Sequence, residues 1–190
     1  LGRWILRKAC MECMMWPGAV SVAVNFSSQQ FHQRDILSDV RYALEVSGLP
    51  AHRLEIEITE SSLLRNTQWT HDALTQLRSA GVRISLDDFG TGYSSLSHLK
   101  RLPLSKLKID QSFVQDIMGN PNDAVIARSI IALAHGLGIG VIAEGVETEA
   151  QRDFLASSGC MSYQGFLFGR PLTVDAFEDF GQQYRATASA

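Results

Sequence analysis

The sequence predicts an α/β fold of the (β/α)8, TIM-like barrel class, on three observations. Short apolar segments alternate with amphipathic helical ones along the whole chain, which implies a parallel sheet covered by helices. Several of those segments are nearly all apolar, as strands buried on both faces are. Polar residues recur at the strand ends: Asn25, Glu57, Asp87 with Asp88, Lys108, Glu144 and Gln164. In a barrel such ends converge on one mouth, whereas in an open doubly wound sheet most lie far apart. Six strands can be read where a closed barrel needs eight, so two are not found in this chain. No GxGxxG follows any strand, so the dinucleotide fingerprint is missing.

The elements follow in order. Leu1 to Trp16 has helical periodicity and is closed by Pro17-Gly18. Val20 to Phe26 is a β-branched strand, and Ile36 to Val46 a helix ending at Gly48. Leu54 to Glu60 alternates with period two, and a helix from Thr67 to Ala80 stops at Gly81. Arg83 to Asp88 is a strand running into the loop Phe89-Gly90-Thr91-Gly92-Tyr93-Ser94-Ser95, with a short helix to Leu99. Lys106 to Asp110 is a strand, and Asn120-Pro121 opens a helix reaching Gly136. Gly140 to Ala143 is a strand, Thr148 caps a helix to Ser158, Tyr163 to Phe168 is a last strand, and Val174 to Tyr184 a C-terminal helix. No linker interrupts the series, so residues 1–190 read as one domain.

Composition narrows the function. The 190 residues suit one domain, which buries about 70% of its extended-chain surface. A net charge of -3 argues against broad binding to a nucleic-acid backbone, so no DNA binding is expected. The run Ser129 to Ala143 falls short of the roughly 20 apolar residues of a membrane helix, so no membrane segment is expected. Cys10, Cys13 and Cys160 form no zinc pattern; the lone CxxC lies within a helix and reads as packing. Three cysteines without a secretory signal point to a reducing, cytoplasmic compartment.

The chemistry concentrates at Asp87-Asp88. Two carboxylates ending a strand are costly to desolvate unless something positive sits beside them. Each polar strand end taken singly has a plain structural reading, such as a helix cap for Asn25 or a solvated face for Glu57 and Glu60. Lys108 is the exception, because a lysine between Leu107 and Ile109 needs a partner. Together they offer carboxylates, an amide oxygen and one ammonium at equivalent strand ends. Hard oxygen donors of that kind suit Mg²⁺ or Mn²⁺ rather than zinc.

Those segments carry a resemblance. Val24-Asn25-Phe26-Ser27, Glu57-Ile58-Thr59-Glu60, Asp87 to Ser95, Leu107-Lys108-Ile109-Asp110, Ala143 to Glu147, Gln164-Gly165 and Gly169-Arg170-Pro171 stand in the order and spacing of the EAL-domain phosphodiesterases. That family hydrolyses the bacterial second messenger cyclic di-GMP to linear pGpG. The resemblance implies a barrel with its site at the carboxyl ends of the strands. It implies that Asn25, Glu57, Asp87 and Asp88 hold a pair of Mg²⁺ or Mn²⁺ ions bridged by Asp87, and that Glu144 binds metal or its water. Lys108 would position or help deprotonate the attacking water, and Gln164, Glu147 and Asp110 would contact substrate. Glu60 would steady the loop from Phe89 to Ser95. The resemblance also implies a homodimer, and fusion to a sensor or diguanylate cyclase domain.

One departure matters. The Glu-Ala-Leu triplet is absent from this sequence, and in the family it lies upstream of the helix with which this chain opens. Two strands and one metal-binding glutamate are therefore expected before Leu1, and this chain alone is expected to be feeble in catalysis and prone to pair. The rival readings are a non-catalytic cyclic di-GMP-binding or dimerisation module, and an aldolase-like barrel using Lys108 as a Schiff base. The acidic cluster argues against the aldolase. His71-Asp72 lies mid-helix without ligand-like spacing and is discounted as a metal site.

Overall fold

A computed structural model describes residues 1–16, 20–27, 36–63, 67–92 and 96–188. Five parallel strands form one sheet in chain order: β1 Val22–Phe26, β2 Leu54–Thr59, β3 Arg83–Phe89, β4 Lys106–Ile109 and β5 Gly140–Ala143. Helices connect them, among them Gly2–Met15 before β1, Ile36–Ser47, Thr67–Ser79 and Pro121–Leu137 between strands, and Glu149–Ser157 after β5. β-α-β alternation of this kind is the repeating unit of the predicted barrel. The turn predicted at Pro17-Gly18 and the last three residues of the Phe89-to-Ser95 loop lie outside the described residues.

The predicted sixth strand is corrected. Tyr163 makes a single parallel bridge to Ala143, and the chain then turns away. Gln164 N–H donates to Ala143 O, and Val146 N–H to Gln164 O, so the segment stays tied to the end of β5 without extending the sheet. Gly165 ends it: its backbone lies so close to Val146 that a Cβ would meet the Val146 carbonyl oxygen at 2.2 Å. Beyond this turn, Phe177 of the C-terminal helix Val174–Ala188 meets Trp16 edge-on at 4.8 Å between ring centroids. A cavity of about 970 Å³, lined by Trp16, Ser21, Ile142, Tyr163 and Phe177 among others, lies between the β1 side of the sheet and β5.

The two faces of the sheet differ sharply. Register places Phe26, Ile58, Leu86, Leu107 and Val141 in one row, and Val24, Ile56 and Ile84 in another. All are buried, in one core with Leu6, Val40, Leu74, Leu77, Ala127 and Ile130 of the helices. The alternate positions face inward and are polar: Asn25, Glu57, Ser85 and Lys106 share a row. β1 to β4 are thus mainly apolar on the helix side, whereas the inward positions of β5 are Gly140 and Ile142.

Beneath the strand ends a buried carboxylate, Glu55, is matched by Lys106, whose Nζ lies 2.8 and 3.1 Å from its two oxygens, and by the Ser85 hydroxyl, which donates to it. Replacing Lys106 strands that carboxylate, and an uncompensated buried charge is costly even when its partner was part-exposed. Lys106→Met should therefore lower stability by about 2 kcal/mol, read as a fall of roughly 6 °C in Tm, while Lys106→Arg should keep most of it. An unchanged midpoint in the methionine variant would show that Glu55 needs no cation.

Candidate functional site

The site begins with a break in β3. Leu86 pairs with Leu107, but the next partner of Ile109 is Phe89, so β3 spends one residue more than β4 across this step. Adjacent residues of a regular strand point to opposite faces. The bulge, with Asp88 in the left-handed region at φ 54°, lets Asp87 and Asp88 present both carboxylates at the same mouth. Aspartate tolerates that conformation better than most residues, and strain of this sort gathers at functional sites. Gly90 follows at φ 103°, where a Cβ would come within 2.9 Å of Phe113, so only glycine makes the turn without displacing that ring.

Lys108 stands at the centre. It is 3% exposed, and its Nζ lies 2.7 Å from Glu144 Oε1, 3.1 Å from Asp87 Oδ1 and 3.2 Å from Glu57 Oε2. Burial alone would lower its pKa. The hydrogen bond to Glu144 and the fields of Glu57, Glu144 and Asp87 outweigh that and raise it, so the ammonium stays charged. Burial pushes the Glu144 carboxyl up to about 7 against the pull of Lys108. Glu57 is also raised, by burial first and by Asp87 and Glu55, with Lys108 opposing. Asp88 is raised by burial, then by Asp87 and by Asp110, to which its carboxyl is bonded. Four carboxylates facing one ammonium leave negative charge that a cation would relieve.

Three of the expected metal ligands meet. Asp87, Asp88 and Glu144 each offer an oxygen within 4.8 Å of the others. Carboxylate oxygens at that separation fit a hard divalent ion. Glu57 joins the cluster through Lys108 rather than within that triad. Asn25 is the register partner of Glu57 and is exposed on edge strand β1. A cavity of about 270 Å³ opens beside the triad, lined by Asp88, Asp110, Gln111, Glu144, Gly145, Glu147, Gln164, Gly165 and Phe166. Asp110, Glu147 and Gln164 thus share one hollow with Asp88 and Glu144. Asp110 also caps the short helix Gln111–Gln115, accepting from Ser112 N–H at 2.9 Å.

Glu60 sits behind the loop. It is 4% exposed, opens the helix Glu60–Leu63, and its Oε2 accepts from Gly92 N–H at 3.2 Å and from Gly90 N–H at 3.4 Å. Sequence reasoning passed over the Glu55–Lys106 layer and over Phe166 and Gln111. The first had a signal: Glu55 with Glu57, and Lys106 with Lys108, stand two apart, which puts each pair on one strand face.

A family model for the EAL domain matches residues 1–171. The cyclic di-GMP phosphodiesterase NbdA of Pseudomonas aeruginosa is 45% identical over 193 residues, covering 100% of this chain and 25% of that protein. The solved structure of the PaMucR phosphodiesterase with c-di-GMP matches at a TM-score of 0.90 and 44% identity, over 93% of this chain and 73% of that one. Klebsiella pneumoniae BlrP1, solved with manganese and cy-diGMP at pH 6, matches at 0.81 and 33% identity, over 90% of this chain and 44% of that one. The chain spans about a quarter of the length of the curated relatives it matches.

Glu60 is a buried acid whose carboxylate accepts from the loop amides of Gly90 and Gly92. Glu60→Ala should free the Gly90 and Gly92 amides, seen as faster hydrogen exchange there, and weaken Mn²⁺ binding about tenfold by calorimetry. Unchanged exchange and affinity would remove Glu60 from any role in shaping the site.

Proposed function

The chain belongs to the EAL-domain family, and on that premise we propose that it hydrolyses cyclic di-GMP to linear pGpG in a metal-dependent reaction. The observation that carries this reading is the cluster in which Asp87, Asp88 and Glu144 converge beside the buried ammonium of Lys108. Asp87, Asp88 and Glu144 would hold Mg²⁺ or Mn²⁺, with Asn25 and Glu57 serving a second ion and Asp87 shared between the two. Bound there, the ions supply charge stabilisation to the entering and leaving oxygens of an in-line displacement at phosphorus.

The remaining work falls to the chain's own side chains. Water adds to phosphorus, the bond to the ribose 3′ oxygen breaks, and that oxygen takes up a proton, leaving a 5′-phosphate on the linear product. Lys108, held cationic by three carboxylates, donates to the attacking water or a phosphoryl oxygen; in that form it has no lone pair with which to accept a proton. Asp110, Glu147 and Gln164 line the hollow and orient the nucleotide. Gln164 can donate to guanine or phosphate oxygens, and Glu147 can accept from guanine N–H groups.

The same proposal includes a homodimer, coupled to the site through the loop that Glu60 holds. It includes fusion to a sensor or cyclase domain, since the matched relatives are about four times as long and one is named a bifunctional diguanylate cyclase and phosphodiesterase. No helix among the described residues is long and apolar enough to cross a membrane. A cytoplasmic site of action is proposed because the messenger is an intracellular one.

In the full-length protein with Mn²⁺, cyclic di-GMP should be converted to pGpG, and chelation with EDTA should abolish the conversion. Lys108→Met and Asp88→Asn should each lower kcat by about 100-fold or more; the asparagine variant guards against a folding defect in the first. Wild-type protein that binds the nucleotide yet forms no pGpG would make the domain a receptor instead.

A further inference from the structure

Gln151 lies on the helix Glu149–Ser157, away from the strand ends, and is 6% exposed. Its side chain uses all of its ordinary hydrogen-bonding capacity. Oε1 accepts from Glu147 N–H and Thr148 N–H, each at 2.9 Å. Nε2 donates to Gln115 O at 3.1 Å and Val114 O at 3.2 Å. The first pair of bonds ends the loop after β5; the second pair ends the short helix after β4. Those two segments carry the facing walls of the hollow, Gly145 and Glu147 on one side and Asp110 and Gln111 on the other.

We propose that Gln151 is a positioning residue that sets the spacing of these two walls and so the fit of the substrate, an inference that rests on the function proposed above. A plain helix cap would need only half of these bonds. Gln151 N–H donates to Thr148 Oγ1 at 3.2 Å, and with Oε1 on the Thr148 amide this completes a capping box. Nothing in capping requires Nε2 to reach 36 and 37 residues away, to Gln115 and Val114. The walls are also in tight contact. Gly145 has φ 68°, and a Cβ there would fall 2.7 Å from Gln111 Cβ, so a small displacement of either wall closes or opens the gap.

Glu144 is insulated from this adjustment. Its N–H donates to Ile109 O at 3.2 Å and its carboxylate is held by Lys108, so it belongs to the sheet rather than to the movable wall. Loosening Gln151 should therefore disturb groups that hold substrate and spare those that gather charge for the reaction. That division predicts a change in KM without a matching change in kcat.

Gln151→Glu separates the two roles. A glutamate at this position still completes a capping box, but it presents a carboxylate oxygen to the Val114 and Gln115 carbonyls, where a donor is required. In the full-length protein with Mn²⁺, KM for cyclic di-GMP should rise about tenfold with kcat within about threefold. Mn²⁺ affinity should be unchanged, and amide exchange should accelerate across 111–118 but not across 149–155. Gln151→Met, which loses both sets of bonds, should accelerate exchange in both segments. Wild-type KM in the glutamate variant, or equal losses in kcat and kcat/KM, would overturn the proposal, as would unchanged exchange across 111–118. If the wild-type protein handles no cyclic di-GMP, the proposed function fails by itself, and the exchange pattern still decides whether Gln151 joins the walls.

Discussion

The ammonium of Lys108 is the interaction on which the rest of the structure depends. It joins carboxylates from β2, β3 and the end of β5 to β4, so a single buried cation ties four neighbouring segments of the sheet. Desolvating an ion costs several kcal/mol, and the attraction of one partner seldom recovers it. Three partners within 3.2 Å do, which is why the net effect of the surroundings is to favour the charged lysine. The converse holds for the acids. Glu57, Asp88 and Glu144 are all pushed toward protonation, first by burial and then by the charge of Asp87, against the opposing pull of Lys108. Negative charge gathered in this way would be relieved by a bound cation.

The same alternation that builds the site builds the core. β1 to β4 each send Ile, Leu or Val toward the helices and a polar residue inward, so hydrophobic burial fixes which residues face the mouth. A slip of one residue in β2 would turn Glu55 and Glu57 into the helical layer and Ile56 out of it. The register that protects the core therefore also protects the geometry of the acids. Glu55 and Lys106 repeat the pattern one step deeper, where Ser85 completes the partners of the buried carboxylate. The inner face is polar in layers: Lys106 matches Glu55 in the deeper one, whereas Lys108 faces several acids in the upper one.

Most of this was legible in the sequence, for physical reasons that can be named. Leu54 to Thr59 shows period two directly, and Lys108 between two apolar residues can hardly be solvated in a strand. Asp87 and Asp88 announce charge, and the glycines after them announce a turn. Four features were not legible, the last of them the bulge in β3. The segment after Tyr163 has the composition of a strand, yet its geometry is decided by the approach of Gly165 to Val146, a tertiary contact. The role of Gln151 depends on carbonyls more than 30 residues away, and a glutamine in the first turn of a helix looks like any capping residue. The pairing of Glu55 with Lys106 required both strands to be placed in register first.

A further hidden feature is the bulge, and it explains why two adjacent aspartates are useful at all. In a regular strand Asp88 would share the side of Leu86, facing the helices, where an unpaired carboxylate is prohibitively costly. One added residue in β3 against β4 reverses the phase at that point, and the left-handed backbone of Asp88 completes the turn. The apolar face then resumes at Phe89 opposite Ile109. Core packing is thus continuous on both sides of a break that delivers two carboxylates to one place. The strain at Asp88 is held by structure on either side: Leu86 is locked into the core before it, and Glu60 grips the Gly90 and Gly92 amides after it. Fixed at both ends, the bulge holds the two carboxylates in place, and preorganisation of that kind is what gives a charged site its strength.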